Sequence, residues 1–326
     1  MSERALLERL ADGPVSGDVL AREAGQTRAA VWKRIQALRE AGVEVEAVPG
    51  RGYRLSQIPD LLDAAAIIAQ LAPQVRGLLH GLDVVWRTPS TNDALLASGA
   101  PPHGCAVLLA ERQSAGRGRR GRAWVTPLAA QVALSVARRY AGGLARLPGL
   151  SLVAGVATAD ALHALGMREV RLKWPNDLVV VMPDGALRKL GGILVEGGGE
   201  AGGGAHAVIG IGVNVRMPGP AMAGVEQAWI DLAALGGTPS RNTIASSILS
   251  QLLPALEAFD ADGLAPWLPR FEALHALAGM DVLVDEAGAR ARARVLGIAA
   301  DGALRVRGGD GRERCVHAGD VSLARA

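Results

Sequence analysis

The sequence predicts an α+β fold in three parts, and three observations support this division. Three short helical patterns and a predicted hairpin make up the first part of the chain, over residues 1–58. Helical and strand patterns alternate over residues 61–277, which is typical of a mixed sheet covered by helices. Short strand patterns separated by glycine-containing turns make up residues 278–326, which indicates a small five-stranded β-barrel. A chain of 326 residues is long enough for such a division.

Composition and charge narrow the class of protein. Hydrophobic residues make up 49% of the chain, and no run approaches the roughly 20 apolar residues of a membrane span. The net charge of +3 is small, while a pI near 9.2 hints at anionic partners. Only two cysteines occur, far apart, which argues against a disulfide framework or a structural zinc site. The N-terminal residues contain no signal-peptide core, so we expect a soluble, cytoplasmic protein without a membrane partner.

Three helical patterns begin the chain, over residues 2–10, 17–24 and 28–41. Thr27 is a candidate N-cap of the third helix, and a short turn at residues 25–26 separates it from the second. This arrangement is typical of a helix-turn-helix. Strand patterns over residues 43–55, with a turn at 49–52, predict a hairpin that would form a wing. Residues 56–60 are expected to be a short linker that lets this unit sit apart from the rest.

The third helix has a candidate DNA-binding face. Val31, Ile35 and Leu38 form its inward stripe, so the opposite face is free to meet a partner. The candidate DNA-binding residues are the cap, the outward residues and one residue of the wing, namely Thr27, Arg28, Ala29, Trp32, Lys33 and Arg51. Helix, cap and basic wing together favour binding to operator DNA. A small helical dimerisation module with a solvated basic face is the alternative.

Residues 111–124 form the most unusual stretch of the chain. An apolar run over residues 105–110 predicts a buried strand that leads into it. Four arginines then alternate with glycines, and no Asp or Glu follows until Asp160. Glycine lets backbone N–H groups approach an anion closely, and arginine binds carboxylate or phosphate with a planar fork. The stretch therefore predicts a site for a substrate that carries both a carboxylate and phosphates.

The glycine spacing in this stretch also matches a dinucleotide-binding fingerprint. Gly116, Gly118 and Gly121 have the required separations. That fingerprint needs a helix directly after the glycines and an acidic residue about 20 positions further on. Residues 124–127 break any helix and the acidic residue is missing, so we reject this interpretation. A solvated basic loop, or one that binds a nucleic-acid backbone, remains open on spacing alone.

The order of motifs along the chain resembles that of the biotin–protein ligases. The stretches that carry the resemblance are residues 90–92, 113–124, 173–177, 188–196 and 210–214. The resemblance extends over essentially the whole chain and includes the N-terminal part, as in the bifunctional form that is also the biotin operon repressor. It implies a class II synthetase-like catalytic domain at residues 61–277 and an SH3-like β-barrel at residues 278–326.

This resemblance implies a reaction in two steps. The carboxylate of biotin attacks the α-phosphate of ATP, which gives biotinyl-AMP and pyrophosphate, and Mg²⁺ is carried on the ATP rather than held in a metal site of the protein. A lysine amine of a biotin carboxyl carrier protein, such as a subunit of acetyl-CoA carboxylase, then attacks the mixed anhydride. Both nucleophiles come from substrates, so the protein contributes preorganised cations that offset the repulsion between carboxylate and phosphate. Biotinyl-AMP would also be the corepressor that favours a homodimer on DNA.

The resemblance also implies roles for individual residues. Lys189 and Arg119 would be the catalytic cations. Biotin would be bound by Ser90, Thr91, Asn92, Gln113, Arg117, Gly118, Arg119 and Lys189. ATP would be bound by Arg119, Arg122, Trp124, Lys173, Asn176 and Asn214. Taken alone, residues 90–92 would be a helix-capping sequence and Lys189 a solvated charge at a strand edge.

Two other functions compete with this assignment. One is a DNA-binding regulator whose central domain only senses a ligand. The other is a related acyltransferase, such as a lipoate ligase with the same fold. The glycine–arginine stretch and residues 173–177 favour biotin over lipoate, and ATP-dependent release of pyrophosphate with biotin distinguishes a ligase from a sensor.

Overall fold

The computed structural model describes residues 1–141, 143, 147–199, 204–286, 289–317 and 319–324. The helices are α1 Glu3–Ala11, α2 Gly17–Glu23, α3 Arg28–Glu40, α4 Ala64–Ala69, α5 Pro73–Arg76, α6 Thr91–Ser98, α7 Leu150–Ala164, α8 Arg241–Asp262 and α9 Leu268–Leu274. The first nine strands are β1 Val45–Val48, β2 Gly52–Leu55, β3 Leu79–Thr88, β4 Cys105–Gln113, β5 Gln131–Tyr140, β6 Val170–Lys173, β7 Asp177–Val181, β8 Leu187–Gly199 and β9 Ala205–Asn214. The last five are β10 Asp281–Glu286, β11 Ala289–Ile298, β12 Leu304–Gly308, β13 Glu313–Val316 and β14 Asp320–Leu323.

The N-terminal unit is a helix-turn-helix with a two-stranded wing, as predicted. Hydroxyls of Ser2, Ser16 and Thr27 cap α1, α2 and α3 by accepting hydrogen bonds from the first turn of each helix. The predicted inward stripe of α3 is buried against leucines of α1 and α2. Strands β1 and β2 pair antiparallel and form the wing.

The N-terminal unit packs against the central one, which differs from the expectation that the linker lets it sit apart. The backbone N–H of Leu128 donates to the carbonyl of Ala41 at 2.8 Å. Leu128 is buried in the N-terminal core, and the indole of Trp86 donates to Glu3 at 3.0 Å. The sequence gives no local sign of this contact, because Leu128 and Trp86 lie far along the chain from the helices that they touch.

The central unit is a seven-stranded mixed sheet with the order β3-β4-β5-β9-β8-β7-β6. Strands β3 and β4 run parallel and the other neighbours antiparallel, which confirms the predicted mixed sheet. Helices α7 and α8 cover one face with a large apolar core, while α6 covers part of the other face through Leu95. The rest of the α6 face carries Gln131, Ala133 and Ser135 of β5, opposite Asn214, Gly212 and Gly210 of β9.

Two sequence expectations about element bounds are wrong. The strand expected at residues 83–87 extends over Leu79–Thr88, because it pairs along its length with buried β4. The helix expected to be interrupted near Pro254 runs without a break as α8. Its buried residues on both sides of the proline, including Leu252, Leu253 and Leu256, pack in the main core, and this packing outweighs the local preference of proline.

The C-terminal unit is a five-stranded antiparallel sheet with the order β13-β12-β11-β10-β14, which confirms the five predicted strands, while closure into an SH3-like barrel stays a prediction. Its valines and leucines belong to the same core cluster as the central unit. The Trp174 indole reinforces this junction by donating to the carbonyl of Gly302 at 3.0 Å. Within the described ranges, no helix has the length and apolar character that crossing a membrane requires.

Candidate active site

A cavity of about 490 Å³ opens on the α6 face of the central sheet. Its volume suits a small-molecule site. Every residue predicted to bind biotin or ATP lines it: Ser90, Thr91, Asn92, Gln113, Arg117, Gly118, Arg119, Arg122, Trp124, Lys173, Asn176, Lys189 and Asn214. The fold thus brings together five stretches that are spread over residues 90–214 of the sequence.

One end of the cavity is built on the start of α6. Ser90 caps this helix by accepting from the N–H of Asp93 at 3.3 Å. Thr91 donates from both its backbone N–H and its hydroxyl to the side-chain carbonyl of Gln113, at 2.8 and 3.0 Å. The buried hydroxyl of Ser135 lies 2.7 Å from the Thr91 hydroxyl and 2.6 Å from the Asn92 amide oxygen. Residues 90–92 therefore do more than cap a helix, because sheet residues hold their side chains at the cavity wall.

The glycine–arginine stretch folds into a tight hairpin over the cavity. Trp124 donates its N–H to the carbonyl of Gly116 at 2.8 Å, and Gly118 donates to the carbonyl of Arg122 at 2.7 Å. At the tip, Arg120 has φ 56° and Gly121 has φ 71°, so the chain turns through left-handed conformations. Gly116 cannot be replaced without a shift, because a Cβ there would lie 2.6 Å from the Trp124 carbonyl oxygen.

Carboxylates from distant parts of the sequence reach the arginines of this hairpin. Arg117 forms ion pairs with Asp93 of α6 and, at 3.0 Å, with Glu196 of β8. Glu196 also accepts from the Asn92 amide at 2.8 Å. No acidic residue follows the hairpin closely in the sequence, yet in the structure two carboxylates from elsewhere in the chain pair with Arg117. Asp93 and Glu196 thereby tie the hairpin to both walls of the cavity.

The C-terminal unit supplies a further carboxylate to the hairpin. Asp320 forms ion pairs with Arg122 and, at 3.4 Å, with Arg120. Arg119 instead points towards Asn176 and donates to its side-chain oxygen at 3.3 Å. Burial lowers the pKa of Arg119, and the field of Asp320 opposes this effect. Arg119 is thus the half-buried arginine of the hairpin, at the strand ends that carry the lysines.

Two lysines share one carboxylate at the middle of the cavity. Lys189 Nζ lies 2.7 Å from Asp177 Oδ1, and Lys173 Nζ lies 3.9 Å from Asp177 Oδ2. Burial lowers the pKa of Lys173, and Asp177 opposes the shift. The backbone of Lys189 is held by Ala228 and Ile230 through hydrogen bonds of 2.9 and 3.0 Å. Asp177 lies within the 173–177 motif, but no role for it was predicted from the sequence.

The far end of the cavity is closed by Trp124 and Asn214. The Trp124 ring lies over Gly212, where a Cβ would come within 2.7 Å of the indole. Asn214 is only 3% exposed. Its Oδ1 accepts from Gln131 and its Nδ2 donates to the carbonyl of Ile230, at 3.0 Å each. Gly210 and Gly212 of β9 leave room for the side chains of Asn92 and Trp124, because a Cβ at either glycine would collide with them.

The candidate DNA-binding residues form a separate surface on the N-terminal unit. Thr27, Arg28, Ala29, Trp32, Lys33 and Arg51 are all exposed there. Trp32 is 52% exposed, which is unusual for so large an apolar side chain. Arg28 forms an exposed ion pair of 3.2 Å with Asp18, a weak contact that phosphate groups can replace.

Comparison with known proteins places this architecture in a family. Residues 84–214 match the Biotin/lipoate A/B protein ligase family, residues 3–54 match an HTH domain, and residues 284–324 match the Biotin protein ligase C terminal domain. The chain is 43% identical over 270 residues to the Bifunctional ligase/repressor BirA of Escherichia coli strain K12, covering 82% of this chain and 81% of the relative. The chain belongs to the biotin protein ligase family, in its bifunctional ligase/repressor form.

Other members of the biotin protein ligase family agree with this assignment. The Bifunctional ligase/repressor BirA of Bacillus subtilis strain 168 is 35% identical over 206 residues, covering 62% of this chain and 61% of the relative. The fold matches that of the biotin protein ligase from Aquifex aeolicus in complex with biotin and ATP, with a TM-score of 0.61. That match has 22% identity and covers 76% of this chain and 100% of the other. At that identity it supports the fold alone.

Proposed function

We propose that this chain forms biotinyl-AMP from biotin and ATP and transfers the biotin to a lysine of a biotin carboxyl carrier protein. We further propose that the same chain represses biotin synthesis genes by binding their operator DNA. The observation that carries the first proposal is the group of cations, Lys189, Lys173 and Arg119, beside a neutral polar end built from Thr91 and Gln113. A cavity of this kind suits an acid with an uncharged polar ring and a nucleoside triphosphate.

The neutral end of the cavity would hold the biotin ring. Ser90, Thr91, Asn92 and Gln113 offer hydroxyl and amide groups that can bond to the ureido group, which is polar and uncharged. Gly118 and Arg117 would close the hairpin over the ring. The ion pairs of Arg117 with Asp93 and Glu196 support this role, since they hold the hairpin against α6 and β8.

The cationic middle of the cavity would bring the reacting groups together. Lys189 and Arg119 would bind the biotin carboxylate and the α-phosphate, two anions that otherwise repel each other. Asp177 holds the Lys189 ammonium at 2.7 Å and so keeps this cation at the wall before a substrate arrives. The bond from the carboxylate oxygen to the α-phosphorus forms as the bond to pyrophosphate breaks, so the protein supplies no nucleophile.

The far end of the cavity would hold the nucleotide. Arg122, Lys173 and Asn176 would bind phosphates, with Mg²⁺ entering on the ATP. Trp124 would stack on the adenine. Asn214 would hydrogen-bond to the base. Its Oδ1 accepts one hydrogen bond from the protein and can accept a second, and its Nδ2 donates one N–H to the protein and has a second to donate.

The three proposed domains would have different functions. Residues 61–277 would carry the ligase, residues 278–326 would close the nucleotide end through Asp320, and residues 1–58 would bind DNA as one half of a homodimer. Biotinyl-AMP would be the corepressor, and a carrier protein would relieve repression by consuming it. This activity would be cytoplasmic, where carrier protein and DNA are both present.

Release of pyrophosphate tests the ligase proposal at its first step. The chain mixed with biotin and Mg-ATP should release pyrophosphate, and the release should stop when biotin is left out or replaced by lipoate. Release that is independent of biotin, or stronger with lipoate, would contradict the assignment of the substrate.

A further inference from the structure

Gln131 is a buried amide at the base of the nucleotide end of the cavity. It is the first residue of β5, and the residue is only 2% exposed. Its Oε1 accepts from Trp124 Nε1 at 3.0 Å. Its Nε2 donates to the carbonyl of Val125 at 2.7 Å and to Asn214 Oδ1 at 3.0 Å. One amide thus connects the two residues that close this end.

The sheet register explains why one amide reaches both residues. Gln131 and Asn214 are direct partners on β5 and β9, so their side chains rise from the same face. The next pair on that face is Ala133 and Gly212, and the Trp124 ring lies over this glycine. Glycine has no side chain to pack against the ring, so rotation about the Trp124 Cβ–Cγ bond can change the ring plane. The hydrogen bond from Nε1 to Gln131 removes that freedom.

The backbone of Gln131 is itself firmly held. Its carbonyl accepts from Arg241 Nε at 2.8 Å, and Arg241 is 1% exposed. The same guanidinium bonds to Glu111 at 2.6 Å and to the Asp60 carbonyl at 2.7 Å. Gln131 therefore presents its amide from a fixed point, which suits a residue that orients its neighbours.

We propose that Gln131 is a positioning residue for ATP, which sets the plane of the Trp124 ring and the direction of the Asn214 amide before the nucleotide binds. This inference rests on the proposed function, which gives Trp124 and Asn214 to the adenine. Gln131 acts on the base through these two side chains. It lies apart from the biotin end, where a different glutamine, Gln113, holds Thr91.

The test exchanges each glutamine for methionine, which has a similar length but neither donates nor accepts strongly. Gln131→Met should raise the KM for ATP about tenfold, the size of one lost hydrogen bond, and change the KM for biotin less than twofold. Gln113→Met should show the reverse pattern. Equal rises in both KM values for Gln131→Met would overturn the proposal. If that variant does not fold, Gln131→Asn, which is one methylene shorter, should show the same selective rise.

A double-mutant cycle tests whether Gln131 acts through Trp124. Trp124→Phe keeps an aromatic ring but removes the N–H donor. If the two residues act as one unit, the double variant Gln131→Met with Trp124→Phe should have a KM for ATP within about twofold of the worse single variant. If the rise in the KM for ATP in the double variant equals the product of the rises in the two single variants, the proposal is overturned.

Fluorescence distinguishes a failure of this proposal from a failure of the proposed function. The difference in fluorescence emission between the unaltered chain and the Trp124→Phe variant gives the contribution of Trp124. Quenching of that component by acrylamide, without any substrate, should increase in Gln131→Met because the ring is released. If the unaltered chain releases no pyrophosphate but the quenching increases, the ligase assignment fails and the positioning role stands. Unchanged quenching would overturn the positioning role whatever the activity.

Discussion

Lys189 Nζ lies 2.7 Å from Asp177 Oδ1, and the other oxygen of the same carboxylate faces Lys173 at 3.9 Å. Asp177 is mostly buried at the turn between β6 and β7, so its charge is directed at the two lysines. Asp177 thus holds both ammonium groups at the wall of the cavity, at the point where we propose that the biotin carboxylate meets the α-phosphate.

Lys189→Ala should slow pyrophosphate release by about a hundredfold or more, because a preorganised cation at the reacting group is lost. Stopped-flow or coupled assays with saturating biotin and ATP measure this rate. Arg312→Ala, which removes an exposed cation on the C-terminal unit, is the charge control and should leave the rate unchanged. A normal rate in Lys189→Ala, with intact secondary structure, would exclude Lys189 from the reaction.

The buried pair of Arg241 and Glu111 should matter for stability. Their side chains are 1% and 3% exposed, and their atoms lie 2.6 Å apart. Glu111→Ala leaves a buried guanidinium without its counter-charge, so the free energy of unfolding should fall by about 3–5 kcal/mol. The exposed pair of Arg4 and Glu8 is the matched control, and Glu8→Ala should cost less than about 1 kcal/mol. Similar losses in urea unfolding would show that the buried pair has no special role.

The sequence predicted the parts of the site that lie within short motifs. Local patterns of capping residues, glycines and strand ends are recognisable in three stretches, at residues 90–92, 113–124 and 173–177. The partners of Arg117 were not predicted, because Asp93 and Glu196 lie 24 and 79 positions away and neither is unusual in its own surroundings. Gln131 was missed for the same reason, since its partners are chosen by the register of β5 and β9.

The sequence predicted the units of the fold better than their contacts. Capping residues and periodic apolar residues predicted the helix-turn-helix, and turn residues predicted the strands of the C-terminal sheet. The docking of Leu128 into the N-terminal core was not predicted, because a leucine after a proline has no distinguishing local pattern. The unbroken α8 around Pro254 has the same explanation, since its packing is decided by residues on other elements.

His275 should make stability depend on pH. Its ring packs on Phe271 with centroids 5.3 Å apart, and neither ring nitrogen finds a hydrogen-bond partner among the described residues. Burial lowers the pKa of His275 to about 4 from an ordinary 6.5. The folded state thus favours the neutral ring, and the unfolded chain binds the proton first as the pH falls. The contribution of His275 to the free energy of unfolding is therefore complete above pH 6.5 and is lost between pH 6.5 and 4.

His275→Leu should remove this pH dependence. Between pH 6.5 and 4 the unaltered chain should lose about 2–4 kcal/mol more free energy of unfolding than the variant. Urea unfolding at several pH values gives both curves. Parallel curves over this range would mean that the ring does not carry the dependence.

DNA binding should be separable from the ligase. Trp32 and Lys33 are exposed on α3, and neither lines the cavity. The double variant Trp32→Ala with Lys33→Ala should therefore lose operator binding in a gel-shift assay and keep the rate of pyrophosphate release. Removal of residues 1–57 should likewise abolish DNA binding and leave a measurable ligase. Full operator affinity in the double variant would exclude Trp32 and Lys33 from the DNA contact, whereas no operator binding by the unaltered chain would favour the dimerisation module.

Ligand binding should promote the homodimer. Biotinyl-AMP would contact both the sheet and the hairpin of residues 116–124, and a ligand that favours the dimer must be bound more tightly by the dimer. Sedimentation of the full chain should show more dimer with biotin and ATP than with either alone. An unchanged dimer fraction together with unchanged operator affinity would separate the two activities.

Transfer of biotin to a carrier protein tests the central claim most directly. The chain, biotin and Mg-ATP are incubated with a biotin carboxyl carrier domain, and with the same domain in which the acceptor lysine is changed to arginine. We predict that the first domain gains one biotin, detected by intact-mass spectrometry, and that the arginine variant gains none. Failure to label the lysine domain while biotin-dependent pyrophosphate release continues, or no release at all, would contradict the assignment as a ligase.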